Sequence, residues 1–516
     1  MKNRYLYITL LAVLGITPEM LAQSQIQYAP RLVVTVAIDQ LRTDYLEAFA
    51  PLYGNDGFKR LLRKGKVYPS ASYPFSPIDR ASATASLTTG VSPYYHSIVG
   101  ERWLHRETLR PVLCVGEALT PDNLSTSTLG DELKVSTEGK AHVYSIAPFA
   151  DAAIMSGGHA ANAAFWLSDE DGSWETSQYY QNVLPAWLVT YNDTYSPRKD
   201  AKSLAWEPVI ELSGSFNYYQ HTVAPQKTFK HRLVGNHRFA QLKTSGLVNQ
   251  FVTDFAQYLV TEATMGYDRV TDLLSLTYYA GTFDHKAMSE CQMELQDTYV
   301  RIDRELARLI NYLERKLGAE HVLFVVTSTG YSDPESEAYD QYRVPTGTFF
   351  INRTANLLNM YYGAIWGQGR WVESCFGSQM FLNHKLLESK RVSLTDACQR
   401  AQEFVSQLSG VRNVYTGLQL ITSTSELTRK IRAGYNPERC GDILVEVSPG
   451  WKLLNEDNQE TQLSRASFTQ FPIIFYGAGI QPDSVSEHVT VDRIAPTIAK
   501  TIRIRAPNAC SAEPLF

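Results

Sequence analysis

What most limits the fold of this chain is a set of short, almost wholly apolar runs separated by helical periodicity. Arg31–Ile38 is β-branched and apolar and closes on Asp39. Ala141–Ile146, Val322–Thr327 and Pro472–Tyr476 have the same character. A strand that is apolar at nearly every position has no face to offer water and must be covered on both sides, as in a parallel sheet. Between these runs, Gly57–Gly65 has the pattern of a short amphipathic helix. Glu290–Leu317 predicts a long one, with Met293, Val300, Ile302, Leu306, Ile310 and Leu313 on one stripe. Ala81–Gly90 is small and rich in Ser and Thr, which suits a helix packed close to a sheet. The alternation predicts an α/β fold with a mainly parallel central sheet between helical layers.

The 516 residues carry a net charge of −5 and no Lys/Arg-rich block, so a nucleic-acid partner is not expected. Lys2 and Arg4, the apolar run Tyr5–Ile16 and Leu21-Ala22-Gln23 have the form of a signal peptide over residues 1–22. That run is too short to span a bilayer, and no later segment predicts a transmembrane helix. The expectation is an exported protein, periplasmic or secreted. Six cysteines without a C-x-x-C pair give no structural zinc site and leave disulfide pairing open. Two stretches break the α/β rhythm. The expected division is a core of 31–155, 246–354 and 461–516, an aromatic-rich cap insertion at 156–245, and a second insertion at 355–460. Trp166, Trp174, Tyr179, Tyr180, Trp187 and Tyr191 in the first insertion suit either cap packing or a sugar- or nucleoside-binding surface.

G-x-S-x-G, H-E-x-x-H, Walker A and G-x-G-x-x-G are all absent. Several segments nevertheless stand in a familiar order: Val36–Tyr45, Thr89–Gly100, Thr128–Leu133, Gly158–Trp166, Asp297–Asp303, Gly441–Ile443 with Pro449–Trp451, Phe475–Gly479 and Ile494–Thr497. Together they resemble the bacterial phosphate-irrepressible alkaline phosphatases and their relatives, the nucleotide pyrophosphatase/phosphodiesterases of the alkaline phosphatase superfamily. The resemblance implies a three-layer sandwich and a two-zinc hydrolase, in which a Thr or Ser alkoxide attacks phosphorus and Asp and His side chains hold the metals.

Carried over position by position, the resemblance implies a degenerate site. Asp39 matches the first metal ligand. The nucleophile position falls on Arg80, whose guanidinium cannot become an alkoxide. The Asn of the family's G-I-V-G-N motif becomes Glu101, and its K-x-R pair falls on Phe149 and Asp151. The remaining ligand positions hold Thr282, Lys286, Thr329, Gly330 and Thr461. Neighbours that could replace the lost groups are Ser82 for the nucleophile and Asp284, His285 and Asp333 for the metal. The sequence thus predicts a pseudo-phosphatase without catalytic residues, metal or cofactor, binding an unknown protein or small molecule. The alternative is a phosphate-ester hydrolase with a rearranged zinc site. A carboxylate left alone where a metal once sat needs a new cation. Asp39 is therefore expected to pair with Arg80, Lys286 or both, at best in a bidentate pair with Arg80, and to have its pKa depressed.

Overall fold

A computed structural model describes residues 29–199, 204–210, 228–332, 343–457, 460–463 and 469–516. The expected signal peptide and Asp333 lie outside the described residues. A ten-stranded sheet forms the centre. Leu32–Asp39 pairs in parallel with Asp272–Tyr279 on one side and Val322–Ser328 on the other. Val143–Ala147 and Ala163–Leu167 continue the parallel set beyond Asp272–Tyr279. Phe471–Gly477 is antiparallel to Val322–Ser328, so the run at Pro472 forms a strand of opposite direction.

Alternation along Leu32–Asp39 divides the interior. Leu32, Val34, Val36 and Ile38 enter one cluster with Phe255, Leu259, Tyr299 and Leu306 of the helices Val248–Glu262 and Gln292–Leu317. Val33 faces the other way, into a cluster with Ile494 and Ile498 of Ile494–Ile502. Period-2 side chains on a sheet buried on both faces produce this three-layer sandwich. The long helix ends at Gly318, whose φ of +93° suits glycine, with Arg315 and Lys316 in its last turn.

The stretch expected to be a cap contributes to the central sheet. Ala163–Leu167 and Trp174–Glu175 are its last strands. Trp166, Trp174 and Tyr191 are buried, and Trp174 stacks on Phe255 with centroids 4.7 Å apart. These three fill the interior, while Tyr179 is exposed and Tyr180 and Trp187 are partly buried. Asp297 of the long helix holds the next part of this stretch, accepting hydrogen bonds from Trp206 Nε1 (2.6 Å) and the Val209 amide (2.7 Å). Farther along, Val372–Phe376, Gln379–Leu382, Ile443–Val447 and Val411–Thr416 form a four-stranded sheet. With the helices Ile351–Trp366 and Leu394–Val405 it encloses a separate hydrophobic core. All six cysteines are free thiols.

Candidate active-site cleft

The parallel strands end along one edge of the sheet, where α/β folds place their ligand crevices. Asp39 is the last residue of its strand and is fully buried. Thr329, just past the end of Val322–Ser328, donates its hydroxyl to Asp39 Oδ1 (2.8 Å) and accepts the Gln40 amide (2.9 Å). Tyr331 donates to Asp39 Oδ2 at 3.3 Å.

Facing this edge is the first turn of the helix Arg80–Thr89. Asp79 caps it, accepting the Ser82 amide and hydroxyl, while Ser82 Oγ accepts the Asp79 amide. The cap absorbs Ser82, which sits fully buried within it and is not presented as a nucleophile. The other Asp79 oxygen accepts the Glu101 amide and so ties the helix start to the segment carrying Glu101.

Arg80 occupies the space between. Its Nε donates to both oxygens of Asp151 (2.9 and 3.2 Å), and its Nη2 meets Glu101 Oε1 at 2.9 Å. Its Nη1 lies 3.7 Å from Asp39 Oδ2. The guanidinium also lies over the Phe149 ring, 3.8 Å from its centroid. Arg80, Glu101, Phe149, Asp151 and Asp39 therefore come together, and one cation serves three carboxylates. Burial works against the Arg80 charge, but Asp151, Glu101, Tyr331 and Asp39 outweigh it and hold the guanidinium protonated well above its ordinary range.

The pairing of Asp39 with Arg80 is present, but its expected electrostatic result is reversed. Burial raises the Asp39 pKa to about 6, against the lowering effects of Arg80 and the Thr329 and Tyr331 hydroxyls. The closest Arg80 contacts go to Asp151 and Glu101, so Asp39 receives the longest of the three and no bidentate pair. Glu101 is likewise raised, to about 7, by burial and by the neighbouring carboxylates Asp151, Asp79 and Asp39, with Arg80 opposing.

Lys286 takes no part. It is exposed, with its Nζ 5.5 Å from the Phe283 ring centroid. Asp284 and His285, both exposed and both at positive φ, form a turn on the surface. Thr282 uses its carbonyl to accept the Tyr279 hydroxyl (2.8 Å). Gly330, at φ +70°, packs where a Cβ would strike Tyr73. Thr461 lies in a three-stranded sheet with Gly347–Phe350 and Trp451–Asn455, opposite Leu454. Among the described residues no three His, Cys, Asp or Glu side chains are grouped to hold a metal ion. Thr, Lys and Gly at the remaining positions, with a guanidinium against the surviving Asp39, do not fit two zinc ions.

The sequence reading missed Lys243. It is 5% exposed, pairs with Asp169 at 2.8 Å, and approaches Phe149 at 5.6 Å from the ring centroid. Burial lowers its pKa, and the charge of Arg80 adds to that. Its position in a helix of the aromatic stretch gave no motif to find it by. A Ser–His pair, Ser86 Oγ and His96 Nε2 at 2.8 Å, also lies in this layer. His96 Nδ1 accepts the Ile98 amide (3.1 Å), so Nε2 carries the proton and cannot serve as a base toward Ser86. Burial pushes the His96 pKa down to about 3.

The sequence profile of the type I phosphodiesterase / nucleotide pyrophosphatase family matches residues 33–469. The chain is 26% identical to alkaline phosphatase PhoV of Synechococcus elongatus over 503 residues, covering 93% of this chain and 91% of that one. It is 25% identical to alkaline phosphatase PafA of Elizabethkingia meningoseptica, covering 94% of both. The crystal structure of wild-type PafA superposes with a TM-score of 0.79 at 24% identity, over 94% of this chain and 98% of that one, and shares its fold. With that profile matching well over half of its length, the chain belongs to the type I phosphodiesterase / nucleotide pyrophosphatase family.

Proposed function

We propose that this chain is an exported, catalytically degenerate member of its family, a pseudo-phosphatase with a binding or assembly role. The observation that carries the reading is the Arg80 guanidinium, clamped by Asp39, Glu101 and Asp151 where the family resemblance places the nucleophile. Phosphoryl transfer needs a nucleophile and positive charge around the transferred group. Here the cation is internally matched and outnumbered by carboxylates, which repel a phosphate. The same reading keeps the core and the second insertion at 355–460, with Ala163–Leu167 and Trp174–Glu175 of the expected cap joined to the central sheet.

The second reading, a phosphate-ester hydrolase with a rearranged site, draws on the names of the relatives and on Asp39, which still closes its strand. Turnover of p-nitrophenyl phosphate and bis-p-nitrophenyl phosphate separates the two. The expected outcome is background rates with or without added zinc. A zinc-dependent rate that Asp39→Ala abolishes would overturn the pseudo-phosphatase reading.

A further inference from the structure

His159 is a titratable group that the cleft does not use, and its backbone is fixed by its surroundings. Tyr179 and Tyr180 donate their hydroxyls to the carbonyls of His159 (3.0 Å) and Gly158 (2.8 Å). Gly158, at φ +74°, lies so close to Thr128 that a Cβ would meet Thr128 Oγ1 at 2.3 Å. From this turn the half-buried ring reaches two acceptors on different segments. Nδ1 stands 3.0 Å from Asp131 Oδ2, in the first turn of the helix Leu129–Ser136. Nε2 stands 3.0 Å from the Leu124 carbonyl.

A carbonyl and an ionised carboxylate only accept, and a neutral imidazole has a single N–H. Both contacts are hydrogen bonds only when both ring nitrogens carry protons. The titratable groups around the ring are Asp131 on the helix, Asp122 on the Leu124 segment, and Tyr179 and Tyr180 at the turn. The hydrogen bond to Asp131 raises the His159 pKa above its ordinary value against the effect of burial, and the Asp131 charge, the Leu124 carbonyl and Asp122 add to it. We propose that His159 is a pH-sensitive latch, an imidazolium that joins Leu124 to the helix Leu129–Ser136 and lets Leu124 go when it loses its proton. The remaining proton stays on Nδ1, because a carboxylate is the stronger acceptor, and the Nε2 lone pair then faces the Leu124 carbonyl. Leu124 is buried with Trp103, Cys114 and Met155. Its neighbour Asn123 accepts Arg439 Nη2 of the second insertion at its carbonyl (3.1 Å), so the latch bears on a contact between that insertion and the core. Its contribution is complete below the ordinary histidine value of about 6.5 and is lost as pH rises through the higher folded value.

Hydrogen exchange of the full chain, corrected for the intrinsic rate at each pH, tests the latch. Protection of residues 121–127 should fall several-fold as pH rises through the His159 pKa, and in His159→Gln it should no longer follow pH. NMR of the protein with ¹⁵N-labelled histidine rings, with His159→Gln identifying the resonance, should place that pKa above about 6.5. A pKa at or below that value, or a step in protection that His159→Gln retains, would overturn the proposal. Crystals of the unaltered protein at pH 6 and pH 10 keep the test decisive if His159→Gln fails to fold. The Nε2 contact to Leu124 should be present at the lower pH and lengthen at the higher, and a contact unchanged at pH 10 would also overturn it.

Discussion

Asp39 and Asp131 are both buried carboxylates in segments that carry the family resemblance, yet their surroundings move them in opposite directions. Asp131 accepts the Thr128 amide (2.8 Å) and the Ala160 amide (2.7 Å), and His159 Nδ1 stands 3.0 Å from it. Burial pushes its pKa up, but these partners prevail and hold it below the ordinary range. Asp39 has two hydroxyls and a share of one guanidinium, and burial prevails. Backbone amides are fixed in place by the fold and donate without competing for other partners, whereas Arg80 divides its protons among three acceptors. A buried acid is thus kept ionised by donors committed to it, and the presence of a cation nearby is not enough.

Removing the shared cation should have the largest effect. Arg80→Met leaves Asp39, Glu101 and Asp151 together without a counter-charge, and a loss of about 3–5 kcal/mol is expected near neutral pH. Urea unfolding should show part of that loss recovered near pH 5, as the carboxylates take up protons. A loss that is the same at both pH values would mean that the cluster is not electrostatically coupled. Asp131→Ala comes next, at about 2–4 kcal/mol, because two backbone amides and His159 lose their acceptor. The Asp131 contribution is present above its unfolded pKa and disappears as pH falls through the lower folded value, so the wild type and the variant should converge in acid.

Asp39→Asn should act in the opposite sense. The raised Asp39 pKa means that its favourable contribution is complete below about pH 4 and is lost as pH rises through about 6. Replacing it with a neutral isostere should stabilise the protein by about 1–3 kcal/mol above pH 7 and flatten the pH dependence of unfolding between those limits. Destabilisation at neutral pH would contradict the contrast with Asp131. The smallest effect is expected at Lys286→Met, within about 0.5 kcal/mol by thermal unfolding, since its side chain lies on the surface and pairs with no carboxylate of the cleft.

The layers of the fold were legible because burial on both faces of a sheet leaves an unmistakable apolar run. The predicted helix and strand at Glu290–Leu317 and Val322–Thr327 appear as Gln292–Leu317 and Val322–Ser328. Strand direction was not legible at Pro472, because an apolar run has the same composition in either sense. In the cleft, the convergence of Asp39, Glu101, Phe149 and Asp151 on Arg80 followed from positions in the resemblance. The sign of the Asp39 shift did not, since it depends on how one guanidinium divides its contacts among three acids. The resemblance itself gives Phe149 no role beyond standing at a lost Lys position. Its ring in fact lies within reach of both Arg80 and Lys243, an arrangement that sequence spacing does not encode.

The sharing of Arg80 also couples this position to three others. Any replacement of Arg80 by an uncharged residue leaves three acids facing one another at once. The neighbours are not held equally. Glu101, with 43% of its side chain accessible, can be exchanged first with least disturbance, and only after such changes does Arg80 become replaceable. A small hydroxyl residue at this position would therefore need compensating changes among Asp39, Glu101 and Asp151.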